Sequence, residues 1–163
     1  MEIRAARRSD AEAIMDIYNH QVLTATVTFD TVPRTLEDQR EWITDRSGAY
    51  PAVVAVNDQN TVVGFGSLSR WRTKPAYSTS AENSVYVNHD HHGQGIGSIL
   101  LGTLVERATE HGFHAVFARI VGGHQASIAL HRRHGYEQVG LEREVGRKFG
   151  RWLDVVLMER LLT

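Results

Sequence analysis

The residues of this chain that could do chemistry concentrate between positions 81 and 102. An acidic residue, Glu82, precedes a short apolar stretch, Val85-Tyr86-Val87, and three alternating glycines, Gly93, Gly95 and Gly97, lead at once into a helical pattern. A strand, a glycine-rich turn and a helix N-terminus together make an anion site, because backbone N–H groups point at the ligand and the helix dipole favours negative charge. A carboxylate one strand-length upstream adds a proton acceptor. This is the outline of an enzyme that binds a phosphorylated carrier and moves a proton beside it; the plainer alternative is a tight turn before a helix. The run His89-Asp90-His91-His92 invites a metal reading. Neither a helical His-x-x-x-His pair nor a cysteine accompanies it, so no metal is expected.

The elements that must position these residues can be read from periodicity. Ile3 to Ala5 reads as a first strand. Ser9-Asp10-Ala11-Glu12 has the form of a capping box, opening a helix with Ile14, Ile17, Tyr18 and Val22 on one face. Val27 to Pro33 is a loop whose one large apolar residue is Phe29. Thr35-Leu36-Glu37-Asp38 starts a second helix, predicted to run to about Ser47 with Gly48 as its stop. Ala52 to Val56 and Thr61 to Ser69 are strands around the turn Asn57-Asp58-Gln59-Asn60. Trp71 to Ser80 is a polar, basic loop, and Glu82 to Asn88 is the next strand. The helix after the glycines runs from about Gly95 to His111, with Ile96, Leu100, Leu104 and Ala108 on its apolar face. His114 to Val121 is a strand, His124 to His134 a helix ended by Gly135, and Tyr136 to Val145 and Arg151 to Leu161 are the last strands. Helices alternating with strands in the second half predict a mixed sheet covered on both faces.

Composition narrows the function classes. With 163 residues and no internal repeat or linker, residues 1–163 read as a single domain. Lys plus Arg is 18, Asp plus Glu is 19, and the formal net charge of −1 gives no global pull toward nucleic acid or an anionic membrane. Any anion site must therefore be local. No cysteine is present, which excludes disulfides, thiolate metal sites and a cysteine nucleophile. The N-terminus lacks the apolar core of a signal peptide, and no apolar run approaches the roughly 20 residues of a membrane span. The default expectation is a soluble cytoplasmic protein that engages neither nucleic acid nor membrane.

Two common nucleotide motifs do not fit the glycine turn. A Walker loop ends in Gly-Lys-Ser/Thr, which is absent. A dinucleotide fingerprint begun at Gly93 would place Ser98 where a third glycine belongs, and Ala115 stands about 20 positions on, where an acidic residue is required. The stretch Val85-Tyr86-Val87 followed by His92-Gly93-Gln94-Gly95-Ile96-Gly97 instead resembles the acetyl-CoA signature of the GCN5-related N-acetyltransferases, Arg/Gln-x-x-Gly-x-Gly/Ala, with histidine in the first place. A histidine there still donates a hydrogen bond but carries charge less often than arginine, which makes cofactor affinity weaker or pH-dependent. Further stretches, among them Ile17-Tyr18-Asn19, Thr26 to Thr31, Trp71 to Tyr77, Ala126-Ser127-Ile128, Leu130-His131 and Gly146 to Asp154, cover nearly the whole chain. They resemble the phosphinothricin and methionine sulfoximine/sulfone N-acetyltransferases.

The resemblance implies an α/β (α+β) fold with a mixed, mostly antiparallel central sheet of about six to seven strands and helices on both faces. It also implies an enzyme, an amino-acid N-acetyltransferase, with acetyl-CoA as co-substrate, a small-molecule amine as partner and a homodimer as its assembly. Acetyl transfer to an amine needs a base for the ammonium proton, a polarised carbonyl and a partner for the leaving thiolate. Glu82 matches the family's carboxylate and is the candidate general base for direct transfer; otherwise it is a solvated strand-edge residue. Val85, Tyr86 and Val87 would run beside the pantetheine arm, with the N–H of Val87 as oxyanion donor. His92, Gly93, Gln94, Gly95, Ile96, Gly97 and Ser98 would wrap the pyrophosphate. His131 is the candidate general acid or thiolate partner, and the alternative is a solvated helix residue. His124 stands where the family commonly has asparagine and could bond the cofactor or merely begin the helix; Arg133 could reach the nucleotide end or be surface charge. Arg72 and Lys74 match the family's basic substrate loop, with Lys74 in place of arginine losing a bidentate fork. Tyr77 and Phe29 would wall the methyl end or simply anchor loops. The competing functions are a protein or peptide N-terminal acetyltransferase, and an acyl-CoA-binding protein without catalysis.

Overall fold

A computed structural model describes residues 1–163. In chain order the elements are β1 (Glu2–Ala5), α1 (Ala11–Thr24), α2 (Leu36–Thr44), β2 (Ala52–Val56), β3 (Val62–Arg70), β4 (Ser80–Val87), α3 (Ile96–His111), β5 (Ala115–Val121), α4 (Gln125–Arg133), β6 (Glu137–Lys148) and β7 (Arg151–Leu161), with 3-10 turns at Arg8–Asp10, Pro75–Tyr77 and His89–His91. The strands form one seven-stranded sheet in the order β1-β2-β3-β4-β5-β7-β6. Every neighbouring pair is antiparallel except β4 and β5, whose parallel pairing covers only Ser80–Glu82 against Ala115–Phe117. Beyond that point the two central strands part, and the cleft between them is the feature the rest of the fold serves.

Burial alternates with the strand period and fills both faces. On one face Leu100, Leu101, Leu104 and Ala108 of α3 and Ile128 of α4 pack on Val53, Leu68, Ala81, Val116, Ala118 and Met158. On the other, Ile14, Ile17, Tyr18 and Val22 of α1 and Ile43 of α2 pack on Val54, Val56 and Phe65. Replacing a buried leucine such as Leu104, fully inaccessible here, costs about 2–5 kcal/mol in comparable cores.

Most element boundaries agree with the sequence reading, and the differences have local causes. The capping box at Ser9 is replaced by a different device. Asp10, 6 % exposed, accepts from the backbone N–H of Arg7 at 2.7 Å and from the Arg4 guanidinium at 2.8 and 3.0 Å, while Ser9 lies inside a 3-10 turn. Thr35 does cap α2 reciprocally with Asp38. That helix ends at Thr44 rather than Ser47, and Gly48 (φ 59°) sits in the following turn. Strand β6 continues past Val145 to Lys148 through two irregularities, between Gln138 and Gly140 and between Glu142 and Gly146. Phe149 and Gly150, both left-handed (φ 51° and 71°), then close the hairpin to β7 as the two-residue connection favoured by strand twist.

Candidate active site and carrier groove

Alternation along β4 divides its side chains between two chemically different faces. Ala81, Val85 and Val87 pack toward α3 and α4, whereas Tyr86 packs with the α1 side. Glu82 therefore points to the α1 side, in register with Phe117 where β4 and β5 are last paired. It is half-buried. Burial pushes its carboxyl above the usual range, opposed by Arg119 and then Arg72. A carboxylate moved toward neutrality is better matched to taking a proton from an ammonium.

The surroundings of Glu82 form an aromatic floor with two cations. Trp71 stacks on Phe117 with centroids 4.2 Å apart and planes within 9°, and the Arg72 guanidinium lies 4.7 Å above Trp71. Arg119, on the same face of β5 as Phe117, donates to Glu142 of β6 at 2.6 Å. The pair of an amine acceptor with fixed guanidiniums suits a zwitterionic or anionic ligand. Sequence reasoning missed Arg119 and Phe117. Their signal was alternate placement on a strand, which acquires meaning only when β4 lies beside it. Lys74 precedes and Tyr77 ends the exposed 3-10 turn Pro75–Tyr77.

Phe29 is placed by the far end of the chain. Its ring fills the space over Gly146, where a Cβ would fall 2.3 Å from the ring. The same loop is tied down by Lys148, which is buried and donates through Nζ to the Thr28 carbonyl at 2.8 Å. Burial lowers that ammonium from its usual value, and Asp30 opposes the shift. Tyr18 bonds Thr28 at 2.8 Å and donates to Asp30, while Arg34 covers the Tyr18 ring at 3.8 Å. Loop 26–31 is thus a docked wall on the α1 side of the cleft.

On the opposite face His131 is buried at the base of the cleft. The Ser127 carbonyl, at 2.8 Å, can only accept, so Nδ1 carries the proton. Nε2 then accepts from the Asn83 amide at 3.0 Å, and Asn83 Oδ1 accepts from the Tyr136 hydroxyl at 2.8 Å. Burial lowers the imidazole pKa, against the Ser127 hydrogen bond that raises it; His134 and His124 lower it further. His131 is accordingly neutral with its Nε2 receiving a hydrogen. A general acid would require a proton on that atom, so the hydrogen-bond pattern differs from the donor role expected of it.

Between these faces the cleft opens into two cavities. One, of about 210 Å³, is lined along the parted strands by Asn83–Val87 and Ala118–Val121, with His92, His124 and His131 at its sides. The other, of about 370 Å³, is lined by Val85, Val87, the turn residues His91, His92, Gly93 and Gly95–Ser98, and by His124, Ser127, Leu130, His131 and Arg133 of the α4 segment. Gly93 (φ 77°) and Gly95 (φ 79°) hold the left-handed conformation that side chains resist, with open space where a Cβ would stand. Gln94 is exposed between them. The first turn of α3 supplies N–H groups without intrahelical acceptors. His92 folds back to donate through Nε2 to the Val87 carbonyl at 3.1 Å, and Ser98 meets His134 Nε2 at 2.8 Å. The histidine run divides: His89 stacks on His20 at 3.8 Å, whereas His92 lines the groove. No group of three or more His, Cys, Asp or Glu side chains is arranged to hold a metal, and no helix is long and apolar enough to cross a membrane.

A groove between parted central strands, closed by a glycine turn at a helix start, is shared with known proteins. Residues 3–157 match the acetyltransferase (GNAT) domain family. The chain is 39% identical to a phosphinothricin N-acetyltransferase of Streptomyces coelicolor over 99% of its own length and 96% of that protein's. It is 40% identical to an L-methionine sulfoximine/L-methionine sulfone acetyltransferase of Pseudomonas aeruginosa over 96% of its length and 92% of the relative's.

The chain belongs to the GCN5-related N-acetyltransferase family.

Solved structures agree. A phosphinothricin acetyltransferase of Sinorhizobium meliloti in complex with acetyl-CoA superimposes with a TM-score of 0.95 at 38% identity, covering 99% of this chain and 88% of that one. A protein of Brucella melitensis described as a ribosomal-protein-alanine N-acetyltransferase gives 0.97 at 38% identity, covering 99% and 100%. This acetyltransferase therefore has the family's seven-stranded mixed sheet with helices on both faces, and acetyl-CoA is its co-substrate. Its relatives are N-acetyltransferases of small amino acids and their analogues.

Proposed function

We propose that this acetyltransferase transfers an acetyl group directly from acetyl-CoA to the α-amine of a small amino acid or analogue, of the phosphinothricin, methionine sulfoximine or methionine sulfone type, with Glu82 as general base. The observation that carries the reading is the placement of Glu82. It lies half-buried where β4 and β5 part, on an aromatic floor, between the charges of Arg72 and Arg119. The base accepts the ammonium proton, and the free amine attacks the thioester carbonyl. Arg72 and Arg119 hold the acceptor's carboxylate and its second polar group, with Lys74 available at the rim. Phe29 and Tyr77 confine the methyl end. The backbone of Val85, Tyr86 and Val87 pairs with the pantetheine arm, and the Val87 N–H faces the developing oxyanion. His92, Gly93–Ser98, His124 and Arg133 take the pyrophosphate and nucleotide. His131, as a neutral imidazole on Asn83, fixes the cleft base; as the C–S bond breaks, its Nε2 exchanges the Asn83 amide for the proton shed by the nitrogen of the tetrahedral intermediate and returns that proton to the departing thiolate.

The homodimer belongs to the same proposal. Hairpin β6–β7 leaves Val139, Leu141, Val145, Phe149 and Trp152 exposed on the outer edge of the sheet, an apolar surface a second copy would cover. A cytoplasmic location follows from acetyl-CoA as co-substrate, and domain 1–163 acts as one unit.

A thiol-release assay with acetyl-CoA tests the substrate. Phosphinothricin, methionine sulfoximine and methionine sulfone are expected to be acetylated, and short peptides are not. The likeness to the Brucella protein favours a second reading, acetylation of protein N-termini. Turnover on peptides without turnover on free amino acids would select it. Acetyl-CoA binding without consumption across the whole panel would make the protein a sensor rather than an enzyme.

A further inference from the structure

The ionisable groups around the proposed pyrophosphate end of the groove are mostly histidines. His91, His92, His124 and His131 line it, Arg133 is its one fixed cation, and no carboxylate lines it. A pyrophosphate placed there brings more negative charge than Arg133 and a helix N-terminus neutralise. Two of the histidines are free to make up the difference. His92 uses only its Nε2, on the Val87 carbonyl, and no protein group bonds its Nδ1. His124, half-buried at the start of α4, makes no side-chain hydrogen bond. Both line the strand cavity as well as the turn cavity, so they bracket the passage between them. His131 is not available, because both its ring nitrogens are engaged by Ser127 and Asn83.

We infer that binding of acetyl-CoA by this enzyme is coupled to proton uptake by His92 and His124, which hold the pyrophosphate as imidazolium ions. The inference rests on the proposed seat of the pyrophosphate at the 93–98 turn. Burial lowers the pKa of His124, and the charge of His92 lowers it further, so without an anion between them the two resist being charged together. An anion seated between them removes that conflict and favours a proton on each ring. Affinity then declines as pH rises, by up to about tenfold per pH unit for each coupled proton.

The neighbouring charges leave this balance intact. From the 3-10 turn, Asp90 is exposed and lies 3.3 Å from His89, and His91 Nδ1 is buried without a partner. From α1, His20 is stacked on His89. From α3 and α4, Ser98 holds His134, whose pKa burial lowers, followed by Arg160 and Arg133. From β5, Arg119 lines the strand cavity and is paired with Glu142; from β4, Tyr86 lines that cavity with its ring packed on the α1 side, and Glu82 lines neither cavity.

The test is calorimetric titration of the full chain with dephospho-CoA, which keeps the pyrophosphate but lacks the 3′-phosphate that itself titrates near pH 6. Runs at about pH 6, 7 and 8 use paired buffers of different ionisation enthalpy. The expected result is an affinity that falls at least about tenfold from pH 6 to pH 8, with net proton uptake at pH 7. The double variant His92→Gln/His124→Asn loses both the slope and the uptake, and His92→Arg retains tight binding at the highest pH. Wild-type binding that is flat in pH with no buffer-dependent heat overturns the inference, as does a double variant that keeps the full slope. Those outcomes leave the groove assignment standing, whereas no binding of dephospho-CoA at any pH overturns the assignment itself.

Discussion

At the scale of single residues, the competition around Glu82 sets when the acetyltransferase works. Burial raises its pKa, and Arg119 and Arg72 restrain the rise. The base must be ionised, so activity rises with pH through that pKa, and a higher pKa moves the acid limb to higher pH. Arg119→Gln removes a restraining charge and should shift the acid limb of kcat/KM upward. Glu142→Gln leaves Arg119 uncompensated and should shift it downward. A pH–rate profile of both variants checks the pair of signs; equal shifts in one direction would disprove the arrangement. Glu82→Gln should lower kcat by about 10²–10⁴-fold while leaving acetyl-CoA affinity unchanged, read from turnover and from calorimetry. The hydrogen bonds from Tyr136 to Asn83 and from Asn83 to His131 hold the opposite face. Tyr136→Phe leaves Asn83 Oδ1 buried and unpaired, and should cost about 1–3 kcal/mol in urea unfolding.

At the scale of elements, the β6–β7 hairpin and the loop after α1 are one functional unit. Lys148 reaches the Thr28 carbonyl across 120 positions of sequence, and Phe29 fills the space over Gly146. Gly146→Val should displace Phe29, raise the KM for the amine acceptor several-fold and leave coenzyme A binding intact, because the glycine-turn cavity is lined by other elements. Steady-state kinetics with each substrate varied separately distinguishes this from global damage, which would raise both. The glycine turn acts through backbone alone: left-handed Gly93 and Gly95 aim N–H groups that no side chain supplies. That is why the turn could be recognised from residue spacing, whereas the wall made by Phe29 and Lys148 could be reached only by resemblance.

At the scale of the whole molecule, the sheet is pinned at its first strand and exposed at its last. Asp10 is held below the usual carboxylate range: burial would raise it, but the Arg4 and Arg7 hydrogen bonds and charges prevail. Its folded-state pKa lies below the unfolded one, so its stabilisation is present above about pH 4 and is lost as pH falls through the folded value. Asp10→Asn should cost about 2 kcal/mol near neutral pH and flatten the acid dependence of the urea midpoint below about pH 4. At the other end, Trp152 is 61 % exposed on the hairpin surface proposed to join two copies. Trp152→Glu should convert a dimer to a monomer in analytical ultracentrifugation; a wild-type chain that sediments as a monomer would remove the dimer from the proposal.

The amino-acid sequence by itself determined what local rules and motif spacing control. The strand–glycine–helix signature, the reciprocal Thr35–Asp38 cap, the apolar stripes of α1 and α3 and the family all follow from short-range patterns. The tertiary structure decided what depends on partners far apart in the chain. Asn83 and His131 meet across 48 positions, and that contact, with the Ser127 carbonyl, fixes the imidazole as neutral with Nε2 accepting. Arg119 became a charge acting on Glu82 only because β5 runs parallel to β4 for three residues before the strands part. The proton that a general acid would need on His131 Nε2 is thus replaced in the folded molecule by a hydrogen bond from Asn83. Residue type dictates which chemistry a side chain can do; its protonation state and its neighbours are set by desolvation and contact, which exist only once the sheet is assembled.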